Sequence, residues 1–205
     1  NVTSLIVKTL RKMQLLRDDE VGGELNIIFD NCSGQNKNNT VLKLAMWLKE
    51  MHYFKRVNFV FLIVGHTKNA CDRLFNSLKH EYRKRNIFTM DELIVALNVS
   101  NKITVDPTVA SDFLDYNAAF REFYTNLSGL VLNNHIFTCD GDDDELTMTI
   151  RESDLAEHQI IQHTAVRPKR GFANDIEKLC IESAKLLTMI EPPGINPYKQ
   201  VELYA

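Results

Sequence analysis

Residues 25–39 read LNIIFDNCSGQNKNN: a short apolar strand ends on Asp30 and enters a loop holding four asparagines, a glutamine, a serine and a lysine around one glycine. A turn needs one or two Asn or Gly. A loop this rich in amides, entered through a carboxylate, is either overbuilt or positions Asp30 for chemistry. The flanking segments fix its setting. Residues 40–51, TVLKLAMWLKEM, have the spacing of an amphipathic helix, and residues 57–64, VNFVFLIV, form the most strand-like run in the chain, apolar on both faces and hence central in a sheet.

Working outward, residues 2–16 place Val2, Leu5, Ile6, Leu10, Met13 and Leu16 or Leu15 on one stripe, with Lys8, Arg11 and Lys12 on the wet side, which predicts a helix. The charge cluster and glycine pair of RDDEVGGE (17–24) read as a turn. Residues 70–85 form another helical pattern, with Cys71, Leu74, Phe75, Leu78 and Tyr82 as its apolar side. The order helix, strand, helix, strand, helix predicts an α/β layer with parallel pairing and right-handed crossovers. Sites in such sheets gather at the carboxyl ends of the strands. Asp30 stands at one such end, and Gly65 and His66 stand at the other.

Beyond residue 86, residues 91–97 and 112–127 read as helices, and residues 135–139 and 146–152 as strands joined by the acidic turn DGDDDE (140–145). Residues 173–190 read as an amphipathic helix that Pro192 and Pro193 end. The expected division is a catalytic-type α/β unit over 1–97 and a smaller appended α+β lobe over 98–205.

The 205 residues are 44% hydrophobic and 25% charged, with a formal net charge of −3, so no global cationic field draws nucleic acid or anionic lipid, and any such role rests on local patches. No apolar run reaches the roughly 18–20 residues that span a bilayer. The four cysteines (Cys32, Cys71, Cys139, Cys180) stand far apart and read as reduced thiols of an intracellular protein. Sequons at Asn1, Asn31, Asn38, Asn98 and Asn126 read as chance products of an Asn-rich chain.

Two carboxylates carry the candidate chemistry. Asp30 ends a strand and Asp72 lies in the first turn of the helix after the neighbouring strand, so together they could share a hard cation such as Mg²⁺. Equally, Asp30 could cap its loop and Asp72 could complement a helix dipole. Asp72, Asn76, Lys79 and Arg83 fall at i, i+4, i+7 and i+11, a stripe running from an acid into cations, continued by Lys84 and Arg85. Such a stripe suits either a phosphate track or an ordinary solvated face. His66 could touch a leaving-group phosphate or cap its turn. A zinc site from Cys32, His66 and Cys71 lacks ligand pairs at the usual spacing. An EF-hand starting at Asp140 would need Gly at 145 and Glu at 151, and the chain has Glu145 and Arg151. The basic segment 165–172 reads as a connector or a phosphate contact.

FDNCSGQNKNN (29–39) followed by FLIVGHTKNACDRLFNSLK (61–79) resembles the DDE-type transposase and integrase domains of eukaryotic mobile elements, in particular transposon-derived proteins with DNC-GQNKN and GH-x3-5-D-x2-F motifs. The likeness covers residues 1–97 and extends to the PPGINPYKQVELY ending (192–204). It implies a ribonuclease H-like fold, with Asp30 and Asp72 as the second and third carboxylates of a triad holding Mg²⁺ or Mn²⁺ for DNA strand cleavage or transfer. Asn69 matches an asparagine such families place three residues before the last acid. Asn31, Gln35, Asn36 and Lys37 would shape the site or contact phosphate, with Asn76, Lys79 and Arg83 along the nucleic acid. The triad's first carboxylate belongs on a strand ahead of the first helix. Asp18, Asp19 and Glu20 cannot replace it, because they lie at the far end of the Asp30 strand, about 17 Å away. The expectation is therefore the later part of such a domain, inactive alone, with DNA as partner, a nuclear setting and room for a homo-oligomer. The rival expectation is a non-catalytic module that keeps the fold and binds nucleic acid or a protein.

Overall fold

The computed structural model describes residues 2–63, 70–98, 104–127, 129–141, 147–154, 159–161 and 187–190. In chain order these form α1 (Val2–Lys12), β1 (Gly22–Phe29), α2 (Asn39–Glu50), β2 (Phe54–Phe61), α3 (Ala70–Tyr82), α4 (Met90–Asn98), a 3₁₀ turn (Ala110–Asp112), α5 (Tyr116–Phe123), β3 (Ile136–Asp140), β4 (Thr147–Arg151) and β5 (Gln159–Ile161). The strands make one mixed sheet in the order β1-β2-β3-β4-β5. β1 and β2 are parallel, from Gly22 opposite Phe54 to Phe29 opposite Phe61, and the remaining pairs are antiparallel. The α/β class and the parallel first pair are as the pattern predicts. β3 and β4 come from beyond residue 97, yet they hydrogen-bond onto β2 and continue the sheet that β1 begins.

Side chains alternate along the strands, so one face takes Leu25, Ile27, Phe29, Val57, Phe59, Phe61, Phe137, Cys139, Met148 and Ile150, nearly all buried. Phe61 stacks on Phe29 at 5.0 Å and meets Phe137 edge-on at 5.7 Å, and each such ring contributes roughly 1.5–3 kcal/mol by leaving water. The other face is mixed: Asn58 donates to Glu24 and Asn26, Arg56 pairs with Asp140, and Ile28, Val60 and Ile136 lie together toward the carboxyl edge of β1 and β2.

α2 lies on the apolar face and is buried on every side, from Val41 through Lys49. The expected amphipathic helix is thus a central one. Trp47 sits among Tyr53, Tyr116 and Phe120, the last two contributed by α5. α1 covers the same layer, but Leu5 and Met13 of the expected stripe are solvated. Leu10 of that stripe is buried and Val2, Ile6 and Leu16 pack on the core, with Thr3, Ser4 and Val7 facing inward beside them. Ser4 sets this phase, because its hydroxyl donates to the Leu114 carbonyl and accepts from the Leu114 amide.

α1 stops at Lys12 rather than residue 16, and α2 stops before His52, by the same device. Gln14 (φ 55) and His52 (φ 54) turn left-handed, Leu15 N bonds Leu10 O, and Tyr53 N bonds Leu48 O. These are Schellman ends without glycine. The glycine pair expected to make a turn lies inside β1. Gly22 is needed there because a Cβ would come within 2.8 Å of the Tyr53 carbonyl oxygen, which accepts the Gly22 amide at 2.9 Å. The helix expected over 112–127 is shortened to α5, whose Asp115 side chain caps Ala118 N. Of the helix expected over 173–190, residues 173–186 lie outside the described residues. Leu187–Ile190 are extended, because Thr188 O accepts from Asp115 N and Ile190 N donates to Phe113 O.

Glu50 closes α2 by accepting the Tyr124 hydroxyl, and burial pushes its carboxyl up to about 7 despite that hydrogen bond. An unfolded glutamate titrates near 4.5, so between these values the folded chain holds the extra proton. Stability is therefore greatest below the lower value and falls as pH rises through the window, by on the order of 3 kcal/mol for this group. Urea unfolding at pH 5 and pH 8 should show Glu50→Gln gaining on the wild type by about that amount at the higher pH. An unchanged difference between the two pH values would contradict the buried-acid assignment.

Candidate functional site

The loop between β1 and α2 is built around one carbonyl. Cys32 O accepts the amides of Gln35, Asn36 and Lys37 at 3.1, 2.8 and 3.0 Å, winding residues 32–37 into a tight turn. Most of its amide side chains serve the backbone. Asn36 Nδ2 donates to Asp30 O at 3.4 Å, and Asn38 Nδ2 to Gln35 O at 2.9 Å, while Asn38 Oδ1 caps α2 by accepting Val41 N. Asn39 Oδ1 accepts Leu127 N at 2.7 Å, and Thr40 donates to Asn117 of α5 at 2.9 Å. The loop is thereby fastened to α5 and the segment after it. Gln35 remains exposed, and Asn31 contributes its backbone N–H to Asp30 Oδ1 at 2.8 Å.

Lys37 departs from its expected role. Rather than reaching toward phosphate, it is 2% exposed. Its ammonium donates to Leu132 O at 2.7 Å and lies 5.9 Å from the centre of the Phe61 ring. Burial lowers its pKa from the ordinary lysine value. The residue braces the loop against the turn before β3, holding the Asp30 end of β1 to the end of β2.

Asp30 is exposed at the carboxyl end of β1, one residue past the Phe29–Phe61 pair that closes the parallel ladder. The loops leaving β1 and β2 therefore start from one edge of the sheet. Asp72 is exposed in the first turn of α3. Asn76, Lys79 and Arg83 are exposed as well, while Lys84 is engaged with Glu81 at 3.0 Å. His66 and Asn69 lie outside the described residues. Among the described residues no three His, Cys, Asp or Glu side chains gather closely enough to hold a metal ion. The oxygen donors of Asp30 and Asp72 have the hardness that Mg²⁺ or Mn²⁺ requires, but two carboxylates are a partial set.

The apolar side expected to bury α3 is not buried: Leu74 is 44% and Phe75 60% exposed. The helix packs on α4 rather than on a described strand, so it presents nearly its whole surface, basic stripe included.

Beside the loop, an open cleft of about 770 Å³ lies between the start of α1, the start of α2 and α5. Gln35, Asn39, Asn117, Arg121 and Asn126 give it a polar wall. Sequence reading missed this group because Arg121 and Asn126 lie more than 80 residues from the loop, and no local pattern announces that α5 packs there.

A family model described as a domain of unknown function, DUF7869, matches residues 1–155. The chain belongs to the DUF7869 family. The matched span carries the Asp30 loop, the Asp72 helix and both β3 and β4, so it crosses the division expected at residue 97. No curated protein and no solved structure matches the chain. Among the described residues no helix is long and apolar enough to cross a membrane.

The brace is testable by stability. Lys37→Ala should cost about 1–3 kcal/mol in urea unfolding, through the lost charged hydrogen bond and packing, whereas Gln35→Ala should cost under about 0.5 kcal/mol. Equal, small effects at both positions would mean that Lys37 faces solvent.

Proposed function

We propose that this chain contributes to a metal-dependent DNA strand cleavage and transfer domain of the transposase and integrase type, with a ribonuclease H-like arrangement. The observation that carries the reading is Asp30, exposed at the carboxyl edge of the parallel β1–β2 pair and held there by a braced loop. The pairing of that loop's sequence with the Asp72 motif adds to it.

In this reading Asp30 and Asp72 would hold Mg²⁺ or Mn²⁺, with a further carboxylate from outside the described residues. When bound, such a pair of ions supplies Lewis-acid activation of an attacking water or 3′-hydroxyl and charge stabilisation at the phosphodiester. Asn31 keeps the Asp30 carboxylate oriented through the N–H bond to Oδ1, leaving Oδ2 for a cation. Gln35 at the exposed turn and Asn76, Lys79 and Arg83 on α3 would follow the DNA backbone, the two cations neutralising phosphates. Asn36 acts as scaffolding through the Asp30 carbonyl, and Lys37 as the brace. His66 and Asn69 belong to the same proposed site, and the setting would be nuclear. A non-catalytic nucleic-acid-binding module is the second reading. The nearly complete exposure of α3 favours it, since binding needs the stripe and not the carboxylates.

Full-length protein incubated with plasmid DNA and Mg²⁺ or Mn²⁺ separates the two. The enzyme reading expects cleavage that Asp30→Ala and Asp72→Ala each lower by more than the roughly 10–100-fold typical of outer-shell changes. Cleavage undiminished by either substitution would overturn the assignment. Carboxylate-independent, salt-sensitive binding without cleavage would favour the module.

A further inference from the structure

We infer that the cleft between α1, α2 and α5 is a subsite for one unpaired nucleotide of a DNA strand; this rests on the nucleic-acid reading above and deepens it. The cleft's size falls within the roughly 300–1,000 Å³ typical of small-ligand sites. Its chemistry narrows the ligand. Among the described residues no carboxylate lines it and Arg121 is the one charged side chain, so a cationic ligand is disfavoured and a phosphate is matched. Asn39 and Asn117 spend their side-chain oxygens on Leu127 N and Thr40, which leaves their NH₂ groups as donors. Gln35 and Asn126 bring complete carboxamides, each an acceptor beside two donors.

That combination suits the edge of a nucleobase, whose acceptors and exocyclic amine pair with carboxamides, adenine best of all. Val2 and Leu5 supply aliphatic surface for the face of the base. A duplex presents its base edges in grooves and cannot insert one base here without unpairing it. The subsite therefore favours single strands or frayed ends. Its wall includes Gln35, five residues from Asp30, so a strand passing the carboxylate edge reaches it with little extra length.

The test uses variants outside the proposed metal and α3 positions. Arg121 and Asn126 are both exposed, so Arg121→Gln and Asn126→Ala should leave the thermal melt of the protein unchanged. Fluorescence anisotropy with a labelled dA12 single strand and a 12-base-pair duplex gives the readout. Each substitution should weaken dA12 binding on the order of 10-fold while duplex binding stays within about 2-fold. If both variants bind dA12 like the wild type while Lys79→Gln and Arg83→Gln weaken duplex binding, the subsite is overturned and the nucleic-acid reading stands. If the wild type binds neither probe, both fall.

Discussion

Parallel pairing of β1 with β2 is the constraint on which the rest of the structure depends. Two parallel neighbours cannot be joined by a tight turn; the chain must travel back across a face of the sheet. α2 makes that return here, and it is buried from Val41 to Lys49 between the aromatic face of the strands and the α1 and α5 layer. Because α2 runs back from the carboxyl edge, its first residues are fixed at that edge beside the end of β1. Asp30 and the amide loop occupy the short span between them. Their position follows from the crossover.

The loop shows why a carboxylate at such a place needs so many amides. A turn of this tightness leaves backbone donors and acceptors that water alone must satisfy, and an exposed loop would otherwise sample many conformations. Asn36 and Asn38 take up loop carbonyls with short side chains, Asn39 accepts the Leu127 amide beyond α5, and Lys37 crosses to the Leu132 carbonyl and ties the loop to the turn before β3. The result is a carboxylate exposed on a restrained support, the arrangement a metal site requires. α3 has the opposite character. It carries its acid and cations on a helix with little cover from the described elements.

The strands and the central helix were legible because their signals are local. β-branched and aromatic runs marked β1 and β2, and the helical spacing of residues 40–51 marked α2. What could not be read depends on distant partners. Lys37 looks like a solvated loop cation until Leu132, 95 residues on, supplies a carbonyl. Gly22 looks like a turn residue until the Tyr53 carbonyl crowds it. The phase of α1 is turned by Ser4 meeting Leu114, so that Leu5 and Met13 of its apolar stripe face water while Leu10 stays buried. The amphipathic pattern of α3 predicts a covered face, but none of its residues is buried by the described elements. Of the candidate site, Asp30 and its loop lie where the pattern puts them, at the carboxyl edge, whereas the cleft wall formed with Arg121 and Asn126 had no sequence signal.

Mn²⁺ titration of isotope-labelled protein, followed by paramagnetic broadening of its backbone amides, tests the central claim most directly. A shared carboxylate site at the sheet edge predicts that amides near Asp30 and Asp72 broaden together at low Mn²⁺, and that Asp30→Asn abolishes both effects. Broadening that spares these two segments, or that persists unchanged in Asp30→Asn, would contradict a metal site built on Asp30.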